Sequence, residues 1–168
     1  MRTVDLTTVE RHTPIVETAV RALVWQSEAQ TRAFAAQLAA HPAIANAFIE
    51  LHGELGAGKT TLVRHLLRAL GVHERIKSPT YTVVEPHEVD GLAIWHFDFY
   101  RFSDPREWED AGLRDIFAGA GLKIAEWPEN AAALLPTADL VIRIEADLDE
   151  TRHVTVKAQT AVGKELLV

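Results

Sequence analysis

Two hydrophobic rhythms alternate along the chain, and each change of rhythm marks a predicted element. Ala47-Phe48-Ile49-Glu50-Leu51 is a short apolar-rich run of strand length. Leu62, Val63, Leu66, Leu67 and Leu70 then recur at helical spacing, and Gly71 stands where such a helix would end. Upstream, Ala22-Leu23-Val24-Trp25 reads as a strand. Ser27 and Gln30 form a capping-box pair for a helix carried by Phe34, Leu38 and several alanines to His41-Pro42. Downstream, residues 80–85 are rich in strand formers, Asp90-Gly91 is a hairpin signal, and residues 92–99 form a second strand. Asp104 and Pro105 mark a helix start, and residues 113–118 a second short helix. Leu122-Lys123-Ile124-Ala125 is a short strand, residues 130–135 a helical turn or two, and 140–144 and 153–158 closing strands. Residues 159–168 carry no readable pattern. This alternation predicts an α/β three-layer αβα domain: a mostly parallel central sheet with antiparallel strands added, among them a ribbon from 80–85 and 92–99.

Length and composition narrow the class. At 168 residues the chain is expected to form a single domain over 1–168, with 1–19 as a possible flexible N-terminal extension. Residues 1–19 carry Arg2, Asp5, Glu10 and Arg11 and no apolar core, so no secretory signal is expected. No run approaches bilayer-spanning length. The absence of cysteine excludes disulfide and thiolate chemistry and fits a cytoplasmic enzyme. A net charge of -7 argues against direct nucleic-acid binding, since phosphate neutralisation supplies most of that affinity. Arg64, Arg68, Arg75 and Lys77 are the candidates for a local basic patch, against the plainer reading of a solvated helix face. The eight histidines stand singly and show no metal-ligand spacing.

One motif carries the chemistry. Gly53-Glu54-Leu55-Gly56-Ala57-Gly58-Lys59-Thr60 fits the phosphate-loop pattern G-x-x-x-x-G-K-[ST], set between the predicted strand and helix. Its glycines let successive N–H groups turn inward toward phosphate oxygens, and the helix start aims its positive end at the same place. Residues Glu54 to Thr61 are therefore the candidate nucleotide contacts, with Lys59 on the phosphates and Thr60 on magnesium. Two carboxylates end apolar strands where ligands of open α/β sheets gather: Asp98 and Glu126. Both are candidates for metal and for orienting the attacking water, together with Lys59. Thr80, after Ser78-Pro79, is a candidate γ-phosphate or magnesium sensor. The asparagines, Asn46 and Asn130, are each followed by alanine, so the guanine-reading N-K-x-D pattern is absent and ATP is favoured over GTP.

Taken in order, the P-loop through Thr61, Lys77-Ser78-Pro79-Thr80-Tyr81-Thr82, His96-Phe97-Asp98-Phe99-Tyr100-Arg101 and Glu126-Trp127-Pro128 resemble the bacterial TsaE family, from about Phe48 to about Val156. The resemblance implies a small cytoplasmic P-loop ATPase using ATP and Mg2+. It implies action with TsaB and TsaD in forming threonylcarbamoyladenosine in tRNAs that read codons beginning with adenine. tRNA would be reached through that complex, with no role for a membrane. By motif, Lys59 and Thr60 fall on the phosphate and magnesium contacts, Thr80 on the switch-like threonine, and Glu126 on the acid tied to magnesium and hydrolysis. Trp127 would pack near the active face, or in the core. Ser27, Thr31 and Arg152 are further candidates near the nucleotide, and Arg101 is a candidate cis arginine finger against a surface ion-pair role. A small-molecule kinase and a non-catalytic nucleotide-binding scaffold remain the rival readings.

Overall fold

The computed structural model describes residues 6–167. Residues 1–5, the start of the expected extension, and Val168 lie outside them. Seven strands form one sheet: β1 (Ala19–Trp25), β2 (Phe48–His52), β3 (Val84–Val89), β4 (Leu92–Asp98), β5 (Leu122–Glu126), β6 (Leu140–Ala146) and β7 (Arg152–Ala158), in the order β1-β7-β6-β2-β5-β4-β3. The central strands β6, β2, β5 and β4 are parallel. The expected ribbon is the pair β3–β4, and a second antiparallel set, β6–β7–β1, closes the other edge. Six helices accompany the strands among the described residues: α1 (Leu6–Arg11), α2 (Glu28–Ala40), α3 (Lys59–Leu70), α4 (Pro105–Asp110), α5 (Leu113–Ala118) and α6 (Ala161–Leu166).

Alternation along the strands separates two cores. Ile49, Leu51, Ile94, Leu122, Ile124, Ile142 and Ile144 face α2 and α3. Phe48, Phe97 and Ala125 face the other way, onto Trp108 of α4 and Leu113 of α5. Helices thus cover both faces, giving the three layers expected. Helix α3 buries Leu62, Val63, Leu66 and Leu67, at about 1.5–3 kcal/mol for each such side chain. That burial fixes the helix, and with it the loop feeding its first turn.

The structure corrects two local readings. Residues 80–83 are not strand. The Val83 N–H donates to the Pro79 carbonyl at 2.9 Å, and Val83 takes a left-handed φ of 68°. A turn therefore forms where composition favoured extension, and β3 begins at Val84. Ser27 does cap α2, but no side-chain cap bond forms; the Gln30 side chain accepts from the Gln26 N–H instead.

Residues from the N-terminal and C-terminal parts of the chain, His12 and Thr160, meet at Asp139, which is 1% exposed. Its carboxylate accepts from the Phe48 N–H at 2.7 Å and the Thr160 hydroxyl at 2.6 Å, and contacts His12 Nδ1 at 2.8 Å. Thr160 in turn caps α6, accepting from the Gly163 N–H at 3.1 Å. A Cβ on Gly163 would fall 1.9 Å from the Asp139 carbonyl oxygen. Gly163→Ala should therefore destabilise the protein by about 3 kcal/mol through overpacking against backbone. A urea midpoint equal to wild type would show that α6 does not depend on this approach.

Candidate active site

The loop after β2 is shaped by a collision avoided. Gly53 has φ 153°, and a Cβ there would lie 2.5 Å from the Ile144 carbonyl oxygen of β6. With hydrogen in that place the chain passes close against β6 before curling back. The Ala57 N–H donates to the Glu54 carbonyl at 3.0 Å, closing the turn. Helix α3 starts immediately after Gly58. The N–H groups of its first turn precede any carbonyl that they could bond within the helix, so they and the helix dipole face the loop's concavity. This is a cradle for anionic oxygens.

The acidic strand tips arrive beside it. Register pairs Asp98 of β4 with Glu126 of β5, and Glu126 with Leu51 of β2, all at carboxyl ends of parallel strands. Both acids share the parity of Ile94 and Ile124, so they stand on the α3 face. Both are buried, Glu126 to 2% exposure. The Thr60 hydroxyl donates to Glu126 Oε1 at 2.8 Å, tying α3 to the tip of β5. The other oxygen, Oε2, lies 2.6 Å from His96 Nε2. Asp98 accepts from the Tyr100 N–H at 2.9 Å, from the Ser78 hydroxyl, and from the Thr80 hydroxyl at 3.4 Å. The turn at residues 79–83, which replaced the expected strand, is what carries Ser78 and Thr80 to Asp98.

Lys59 is held under a lid of aromatic surface. Its ammonium donates to the Gly53 carbonyl and lies 3.7 Å from the Trp127 ring centroid. Trp127 has φ 55° and ψ 45°, an unusual left-handed conformation for a non-glycine residue. Tyr100 packs against it with ring centroids 5.1 Å apart. Burial pushes the Lys59 pKa below its ordinary value, while the charges of Glu126, Glu129, Asp98 and Glu54 oppose that shift. An anion in the cradle would favour the ammonium further.

These side chains line a cleft of about 320 Å³ that takes in Leu55 to Thr61, Thr80, Asp98, Glu126 and Trp127. Glu54 contributes its carbonyl, 3.4 Å from the Lys59 ammonium, rather than a wall of that cleft. A second cleft of about 290 Å³ shares Ala57, Gly58 and Thr61 and is otherwise lined by Trp25, Ser27, Thr31 and Arg152 among others. Arg152 donates to the Ala57 carbonyl at 2.8 Å, so the closing strand braces the loop from this side. The two clefts flank one glycine loop.

Most candidates therefore converge. Arg101 does not line either cleft: it is exposed, with its guanidinium 4.7 Å from the Tyr81 ring centroid. Arg68 is spent on closing α3, donating to the Val72 and Glu74 carbonyls. Sequence reasoning missed His96 and Ser78. The signal for His96 was present, since a residue two before Asp98 on a strand shares its face. The oxygen set of the Thr60 hydroxyl and the Asp98 and Glu126 carboxylates suits magnesium, which binds few protein ligands and shares phosphate oxygens. Among the described residues no group of three or more His, Cys, Asp and Glu could hold a metal, and no helix is long and apolar enough to cross a membrane.

A strand–glycine loop–helix unit at the carboxyl edge of a mostly parallel sheet is the P-loop NTPase fold. The crystal structure of Bacillus subtilis YdiB superposes with a TM-score of 0.72 at 28% identity, covering 90% of this chain and 93% of that one. The family model "Threonylcarbamoyl adenosine biosynthesis protein TsaE" matches residues 25–154. The chain is 43% identical over 119 residues to the tRNA threonylcarbamoyladenosine biosynthesis protein TsaE of Haemophilus influenzae, covering 71% of this chain and 75% of that protein. Against the TsaE of Bacillus subtilis it is 37% identical over 115 residues, covering 68% and 70%. This chain belongs to the TsaE family. The match opens at Trp25, so it takes in α2 and the cleft beside Ser27 and Thr31 as well as the four motifs.

Proposed function

We propose that this protein is a magnesium-dependent ATPase that serves as a nucleotide switch in forming threonylcarbamoyladenosine in tRNAs reading codons that begin with adenine. Family membership and the names of its relatives support the pathway. In this reading it works in the cytoplasm on a complex of TsaB- and TsaD-type proteins, and meets tRNA only through them. The observation that carries the chemistry is the 2.8 Å bond from Thr60 on the P-loop helix to Glu126 on the neighbouring strand tip. It supports the reading because an oxygen pair of the kind a divalent cation takes stands at the first turn of α3.

The division of labour follows from position. The first-turn amides of α3 and the Lys59 ammonium bind the phosphates. Thr60, Glu126 and Asp98 would hold the metal, and the two carboxylates would orient the attacking water. Bound magnesium would supply charge stabilisation for the phosphoryl oxygens in the transition state. Thr80 and Ser78 couple their turn to Asp98, so occupancy of the site is transmitted to residues 78–83. Arg152, Ser27 and Thr31 line the side assigned to the nucleoside. ATP is assigned over GTP because no N-K-x-D sequence is present.

The test is reconstitution with TsaB- and TsaD-type partners, tRNA and either ATP or a non-hydrolysable analogue. Repeated cycles of modification with ATP alone, and phosphate release without any small-molecule acceptor, are expected. Equal support by the analogue would reduce the protein to a scaffold. Strict dependence of phosphate consumption on an added acceptor would make it a kinase.

A further inference from the structure

His96 is fully buried and lies outside every role assigned so far. It sits on β4 opposite Ile124, on the face that carries Asp98 and Glu126. Its Nε2 is 2.6 Å from Glu126 Oε2, whereas its Nδ1 is buried without a hydrogen-bond partner. A carboxylate can only accept, so Nε2 carries the proton. Turning the ring away would leave Glu126 Oε2 unpaired in the interior.

We propose that His96 is a positioning residue for the hydrolytic step: its Nε2–H clamps Oε2 of Glu126, so that Oε1 alone is presented to Thr60 and the metal. This rests on the reading of Glu126 given above. Without the clamp the carboxylate gains a rotation about its last torsion, and the population aimed at the cation falls. The logic is that of an outer hydrogen bond orienting a metal-ligating group, whose loss typically costs roughly 10- to 100-fold in activity.

The experiment measures kcat and the ATP Kd for wild type, His96→Leu, His96→Gln, Glu126→Ala and the double variant His96→Leu/Glu126→Ala. His96→Leu should lower kcat by roughly 10- to 100-fold while leaving the ATP Kd within about threefold. His96→Gln, whose amide N–H reaches the Nε2 position, should recover most of the loss. In the Glu126→Ala background, His96→Leu should change nothing further, because its partner is gone. Imidazole 15N NMR of the unmodified protein should find the proton on Nε2, a readout that does not depend on any variant folding. Full turnover in Glu126→Ala overturns the reading of Glu126 and this inference with it. An impaired Glu126→Ala alongside a fully active His96→Leu overturns the clamp alone. So does an equal further loss in the double variant, failure of glutamine to rescue, or a proton found on Nδ1.

Discussion

Replacing Lys59 with alanine should weaken ATP binding by roughly 100-fold or more, measured by calorimetry with magnesium present. One charge-assisted hydrogen bond accounts for about 1.5–3 kcal/mol, which is roughly 10- to 150-fold on its own. The surroundings add to it. Lys59 is the cation placed among Glu126, Glu129, Asp98 and Glu54, whose charges act on it in the free protein. Its removal leaves a net acidic wall where, on the proposed reading, a polyphosphate would settle, so repulsion would compound the lost contact. Arginine should not rescue. The ammonium lies between the Gly53 carbonyl and the Trp127 ring at 3.7 Å, in a slot sized for a point charge rather than a planar fork. An affinity within about threefold of wild type in Lys59→Ala would detach the phosphate tail from this loop.

What the sequence disclosed and what it withheld divide along physical lines. The P-loop, the strand before it and α3 are encoded in contiguous residues, so glycine spacing and a 3.6-residue period suffice to read them. Asp98 and Glu126 were legible because an acid ending an apolar run sits at a strand tip wherever that strand goes. Their pairing in register depends on β4 and β5 being parallel neighbours, which the general rule for open α/β sheets made a sound expectation. The His96–Glu126 bond needs more: two strands in one register and a knowledge of which face each side chain takes. The turn at 79–83 was hidden because Thr80, Tyr81, Thr82 and Val83 are strand formers by propensity. The Pro79 carbonyl and the left-handed Val83 override them. Helix α6 was unreadable for a related reason. Six residues have too little periodicity to announce a helix, and what fixes α6 is Asp139, a distant residue that also gathers His12 and Phe48.

The same distinction makes Glu126→Gln the sharper probe of chemistry, with an expected fall in kcat of about 100-fold or more and an ATP Kd close to wild type. Glutamine preserves the volume of a side chain that is 2% exposed. It also finds a hydrogen-bonded pose: its carbonyl faces the His96 Nε2–H, and its amide N–H faces the Thr60 hydroxyl, which then accepts instead of donating. That pose fits the packing and fails the reaction. In the proposed roles, the oxygen beside Thr60 would have become a donor, so the metal would lose a ligand and water its acceptor, while Lys59 and the first-turn amides would still bind the phosphates. Stability should move the other way. A buried carboxylate is costly to hold, so thermal unfolding of Glu126→Gln should occur at or above the wild-type temperature. Loss of turnover with an unchanged or raised Tm marks a group kept for function at the expense of the fold. A lowered Tm with turnover intact would instead make the Thr60–Glu126–His96 chain a strut between α3, β5 and β4, and would move the search for the hydrolytic acid to Asp98.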